Sequence, residues 1–152
     1  MDLYLNSFID AEMVYYLNKK GREKVGAEKI VTRNQQCKHT LMRNDIYIKY
    51  GCPKDWRNEF PIKTKELNFI ADAVFQVGEK QYFLEVDNQQ KMRANKKKLE
   101  NYLMFKEVGN WLKYHKSFPT LIFYTVTEAR KAQLQELNPG LDLIVFTVAD
   151  LF

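Results

Sequence analysis

Two largely apolar runs, "PTLIFYTV" at 119–126 and "LDLIVFTV" at 141–148, flank the helix-compatible stretch "EARKAQLQEL" at 128–137. Neither run approaches the roughly 18 residues of a membrane span, and neither alternates with polar residues as a strand with one wet face would. Both therefore read as strands covered on both faces and lying beside parallel neighbours. Thr127 caps the intervening helix and "NPG" at 138–140 stops it. This pattern constrains the chain to an α/β sheet with helices on its faces, closed by a right-handed crossover.

The upstream elements extend the same sheet. "IADAVFQVGEKQYFLEVD" at 70–87 lies within two strands, 67–77 and 80–87, joined by a two-residue turn at Gly78 and Glu79. A short strand, "NEFPIKT" at 58–64, precedes them, and Pro61 puts it at an edge or a bulge. "NQQCKHTLMRNDIYIKY" at 34–50 has apolar residues at 37, 41, 42, 46, 48 and 50 and ends before Gly51 and Pro53, which predicts the first core helix. A second helix, rich in lysine, is predicted over residues 90–107. The order of helix, three strands, helix, strand, helix, strand predicts a mixed sheet in which a meander leads into the crossover. Before it, "EMVYYLNKKGREKVGAEK" reads as a strand leading into a short helix. Residues 1–32 are accordingly assigned to an N-terminal segment and 33–152 to the main domain.

With 152 residues, 45% of them hydrophobic and 14% aromatic, the chain has ample material for one packed core. "MDLYLNSFID" has no basic leader and no small-residue cleavage site, so the expected location is the cytoplasm and no membrane partner is expected. Cys37 and Cys52 are too few for a disulfide framework and lack the paired spacing of a zinc site. The net charge of +5 favours polyanionic partners. Its distribution is more informative, because basic residues gather in "YLNKKGREK" at 16–24 and "KMRANKKK" at 91–98.

Acids in the hairpin raise a chemical question. The turn pairs Val77 with Lys80, Phe75 with Tyr82 and Asp72 with Glu85, and Asp87 lies one period beyond Glu85 on the same face. Directly opposed like charges disfavour pairing by about 0.2–1 kcal/mol, and by more where water is excluded. A hard divalent cation, Mg²⁺ or Mn²⁺, would offset the repulsion and lower the pKa of an attacking water. Alternatively, lysines and arginines from the following helix would neutralise the acids in a structural network.

These residues resemble a known arrangement. "AD" at 71–72 and "EVD" at 85–87 match the motif positions of the PD-(D/E)XK nuclease superfamily, whose αβββαβ core, here with an added αβ pair, has the element order derived above. More closely, "KHTLMRNDIYI", "ADAVF", "YFLEVDNQQKM" and "KKLENY" resemble the replication-relaxation family of plasmids and phages, from about Tyr15 to Asp150. That family usually carries a winged helix before this domain, and residues 13–26 resemble its closing wing, although three helices do not fit in the dozen or so residues upstream.

The resemblance implies a DNA-binding protein of plasmid or phage replication or its control, working with protein partners of a replication or regulatory complex. It further implies a metal-dependent endonuclease or nickase with Asp72 and Glu85 as metal ligands and Asp87 as an auxiliary ligand or base. The wider superfamily places a lysine two residues after the glutamate, where this chain has Asp87. Lys91, Lys97 and Lys98 are candidate replacements, with Lys91 preferred for its place near the first turn of the helix. The substitution leaves open a second reading, a nuclease-like fold without catalysis that serves as a DNA- or protein-binding regulator.

Lys91, Arg93, Lys96, Lys97 and Lys98 form the expected nucleic-acid face. Gln89 and Gln90 suit phosphate contact or a local capping role. His39 and Asp45 on the first core helix read as packed or surface-paired, His115 has no paired ligand, and Tyr102 and Trp111 read as core before base-stacking.

Overall fold

A computed structural model describes residues 3–10, 12–31 and 36–152 and divides the chain into two compact units, Met1–Cys37 and Lys38–Phe152. In the smaller unit, β1 (Leu5–Asp10) and β2 (Glu12–Leu17) pair antiparallel from Leu5↔Leu17 to Asp10↔Glu12. β1 has no counterpart among the predicted elements. Its sequence "LNSFID" mixes Asn, Ser and Asp, and pairing with β2 makes it a strand.

A lone two-stranded hairpin is marginal in water, and α1 (Lys19–Val25) is tied to this one through its N-cap. The Asn18 side-chain oxygen accepts the Gly21 N–H at 2.9 Å, while its amide group donates to the Leu3 carbonyl at 3.0 Å. A Cβ on Gly21 would sit 2.2 Å from the Tyr4 carbonyl oxygen, so only glycine allows this approach. Gly21→Ala is expected to destabilise the unit by about 1–3 kcal/mol. Faster amide exchange across β2 and α1 would register the loss, and unchanged exchange would refute it.

The larger unit is a five-stranded sheet in the order β3-β4-β5-β6-β7. β3 (Arg57–Lys63), β4 (Asn68–Val77) and β5 (Lys80–Asp87) form an antiparallel meander, and β6 (Thr120–Thr125) and β7 (Leu143–Thr147) continue it in parallel. Every residue of β6, the central parallel strand, is buried, as its apolar run predicts. Pro61 lies on the edge strand β3, where its missing N–H is tolerated.

Helices cover both faces of the sheet. α2 (Cys37–Lys49) packs Met42 and Ile46 against Ala73, Phe75, Leu84, Val86, Ile122 and Tyr124. On the other face, α3 (Met92–Val108) and α5 (Glu128–Leu137) bury Leu99, Tyr102, Phe105 and Leu134 with Ala71, Phe83, Leu121, Phe123 and Val145. Two short helices, α4 (Trp111–Tyr114) and α6 (Val148–Leu151), were not expected from the pattern. The first two residues of the predicted 34–50 helix, Asn34 and Gln35, lie outside the described residues.

One departure from regular sheet geometry positions the acids. Ala71 belongs to the cluster under α3, yet Ala73 belongs to the cluster under α2. Strict alternation would put both on one face, so the strand changes face at Asp72. On the neighbouring strand the pairs Asn58↔Ala73 and Phe60↔Ala71 flank Glu59, whose φ is 51°. A left-handed backbone at a non-glycine residue marks local strain.

Candidate functional site

Asp72 sits where β4 and β5 part. The register Ala73↔Leu84 extrapolates to Asp72 opposite Glu85, but the ladder stops at Ala73↔Leu84. Beyond it the Asp72 side chain takes the place of a backbone partner, with Oδ2 accepting the Val86 N–H at 2.7 Å. His39 of α2 brings Nε2 to 3.3 Å from the same oxygen. Burial pushes the Asp72 carboxyl up, but the His39 hydrogen bond, the Lys98 charge and the Val86 N–H outweigh it and hold the group below the usual carboxylate range.

Glu85 is fully buried under α3. Lys98 Nζ donates to Oε2 and the Tyr102 hydroxyl donates to Oε1 at 2.7 Å, so both oxygens are engaged. Lys98 and Tyr102 are four residues apart and share one face of the helix. Burial raises the Glu85 carboxyl to about 8 against the opposing Lys98 charge, with the Asp72 charge adding to the rise. Burial lowers the Lys98 ammonium, and the charges of Glu85 and Asp72 more than reverse that. Burial and the Glu85 charge hold the Tyr102 hydroxyl well above its ordinary value, so it stays protonated and donates.

This arrangement joins two acids, a histidine, a lysine and a tyrosine at the notch between β4 and β5. A family model described as replication-relaxation matches residues 7–121, about three-quarters of the chain. The chain belongs to the replication-relaxation family. Membership suggests a role in replication. No curated protein matches the chain.

Within this replication-relaxation chain the other expected site residues lie outside the notch. Asp87 is fully buried and engages Arg130 of α5, which donates from Nε to Oδ2 at 2.7 Å and from Nη2 to Oδ1 at 2.8 Å. The Thr125 hydroxyl adds a bond to Oδ2 at 2.7 Å. Burial raises the Asp87 carboxyl, but hydrogen bonds from Arg130, Asn95 and Thr125 bring it below the usual range. Arg130 lies beyond the matched residues.

Lys91 is exposed at the N-cap of α3, and the lysine that reaches Glu85 is Lys98, two helical turns further along. Arg93, Lys96 and Lys97 are exposed on α3. Gln90 donates to the Val86 carbonyl at 3.2 Å and Gln89 adopts φ 60°. Asp45 accepts the Tyr124 hydroxyl at 3.0 Å. His115 stacks on Trp111 with ring centres 4.1 Å apart, and Trp111 packs with Phe83, Phe105 and Phe118. Cys37 and Cys52 are free thiols.

His39, Tyr102 and Arg130 were not assigned to the site from sequence. The spacing of Lys98 and Tyr102 puts them on a common helix face, which is a readable signal. For Arg130 the signal is the parallel pair Asp87↔Thr125, which brings the residues after Thr125 over the end of β5. That register is a tertiary fact.

The donor set limits what cation the notch can hold. Among the described residues no group of three His, Cys, Asp or Glu side chains is placed to hold a metal ion. Mg²⁺, however, uses one or two carboxylates and keeps waters elsewhere. Asp72 Oδ1 has no hydrogen bond among the described residues, whereas both Glu85 oxygens are engaged by Lys98 and Tyr102. Among the described residues no helix is long and apolar enough to cross a membrane.

Proposed function

We propose that the larger unit is a nuclease-like domain that binds DNA in plasmid or phage replication and cleaves phosphodiesters at the Asp72–Glu85 notch. The observation that carries this reading is Lys98 on Glu85 beside Asp72. It supplies, from the helix, the lysine that the PD-(D/E)XK pattern has on the strand where this chain has Asp87. Asp72 and Glu85 would hold Mg²⁺ or Mn²⁺, which supplies charge neutralisation and an acidified water. Lys98 neutralises the acids and, once released from Glu85, presents a cation to a phosphate oxygen. Tyr102 keeps the Glu85 carboxyl oriented through its hydroxyl.

The exposed face of α3 supports a polyanionic partner. Lys91, Arg93, Lys96 and Lys97 cluster at the start of a 17-residue helix whose first turn contains no acid, so cations accumulate at the positive end of the helix dipole. Phosphates relieve that clash. Lys96→Gln and Lys97→Gln are each expected to reduce the slope of log K against log salt by about 0.9 for duplex DNA. An unchanged slope in both would remove α3 from the interface.

Cleavage is tested by Mn²⁺ calorimetry on the wild type, Asp72→Asn and Glu85→Gln, alongside nicking of supercoiled plasmid. The expected outcome is binding and nicking by the wild type and neither by the variants. A second reading is favoured by the full engagement of both Glu85 oxygens by Lys98 and Tyr102, which satisfies the acid without a metal. In that reading the domain is a catalytically silent DNA- or protein-binding regulator. Salt-dependent DNA binding with no Mn²⁺ binding and no nicking would establish it.

A further inference from the structure

We infer that Arg130, held by the buried Asp87, is a fixed contact for a nucleic-acid backbone phosphate. The inference rests on the nucleic-acid-binding reading above and adds a residue from outside the family-matched segment. Asp87 takes Nε and Nη2 of the guanidinium in a bidentate pair, and Nη2 also donates to the Gln90 carbonyl at 2.5 Å. Nη1 has no hydrogen bond among the described residues, while the side chain keeps 21% of its surface exposed. A guanidinium fixed along one edge presents its remaining Nη1 donors in a set direction, which suits a charge-assisted hydrogen bond to one phosphate oxygen.

Two independent features place this edge at a phosphate track. The Gln90 carbonyl is immediately before Lys91 and the basic start of α3, so Arg130 adjoins the exposed cations there. Asp87 follows Glu85 by two residues on the same face of β5, about 7 Å along the strand, so Arg130 also adjoins the notch. Asp87 cancels the charge of Arg130. Its contribution is therefore a directed hydrogen bond and not long-range attraction.

The charge-conserving pair Asp87→Asn/Arg130→Gln separates these effects. It leaves net charge unchanged and replaces the ion pair with neutral amides. Binding of a DNA duplex of about 20 base pairs is measured over a range of salt, with thermal unfolding followed in parallel. The expected result is an affinity loss of roughly tenfold at every salt concentration, with the salt slope retained. Arg130→Lys keeps a cation beside Asp87 but removes the Nη1 donors, and the same loss is expected from it if the double variant is unstable. Wild-type affinity in a folded variant overturns the contact at Arg130 and leaves the DNA-binding reading intact. Absence of DNA binding by the wild type overturns both.

Discussion

Arg130→Met is expected to destabilise the larger unit by about 3–5 kcal/mol, the cost of stranding one member of a buried ion pair. Asp87 is fully buried, and among the groups that hold its carboxyl below the usual range Arg130 comes first, so losing Arg130 leaves a buried carboxyl that either stays charged with no guanidinium beside it or takes up a proton. Thr125 still donates to it, but a hydroxyl does not replace a guanidinium that engages both oxygens. Against a typical total of 5–15 kcal/mol for a domain, the loss is large. Urea unfolding of wild type and variant measures it directly. Lys98→Met is expected to cost less, because the Glu85 carboxyl titrates at about 8 and can keep its proton when its cation is removed. Equal losses for the two variants, or a loss below about 1 kcal/mol for Arg130→Met, would contradict the assignment of charge to Asp87.

The second large effect is a pH dependence of opposite sign at the two kinds of acid. Glu85 has a native pKa raised from 4.5 to about 8, so between those values the folded state holds a proton that the unfolded state has released. Its contribution is therefore complete below about 4.5 and is lost as pH rises towards 8, with a limiting slope of about 1.4 kcal/mol per pH unit. Asp72 and Asp87 are lowered, so they contribute above the ordinary aspartate range and lose that contribution as pH falls through their native values. The expected stability profile declines on both sides of about pH 4–5. Glu85→Gln should flatten the alkaline limb and leave the acid limb in place. An alkaline limb that survives in this variant would assign it to another group.

Much of the architecture is written in local patterns. The apolar runs of β6 and β7, the glycine turn at 78 and the capped helix at 128–137 each specify their element from a few neighbouring residues. The hairpin register Phe75↔Tyr82 follows from the turn alone and runs to Ala73↔Leu84, the pair next to Asp72 and Glu85. The acids stand out in the sequence because charged residues in a buried strand contradict the pattern around them.

The partners of those acids were decided elsewhere. Glu85 meets Lys98 and Tyr102 because α3 lies along the face that β5 turns towards it, and Asp87 meets Arg130 because β6 runs parallel beside it. Asp72 meets His39 across a strand that changes face at that residue. Local sequence determines which residues form a strand or helix, through periodicity, turns and caps that act over a few positions. The choice of counter-charge for each buried acid depends on helix placement and strand register over separations of 13 to 43 residues. Only the packed sheet brings those groups together, because the low-dielectric interior that forces each acid to find a partner exists only after folding.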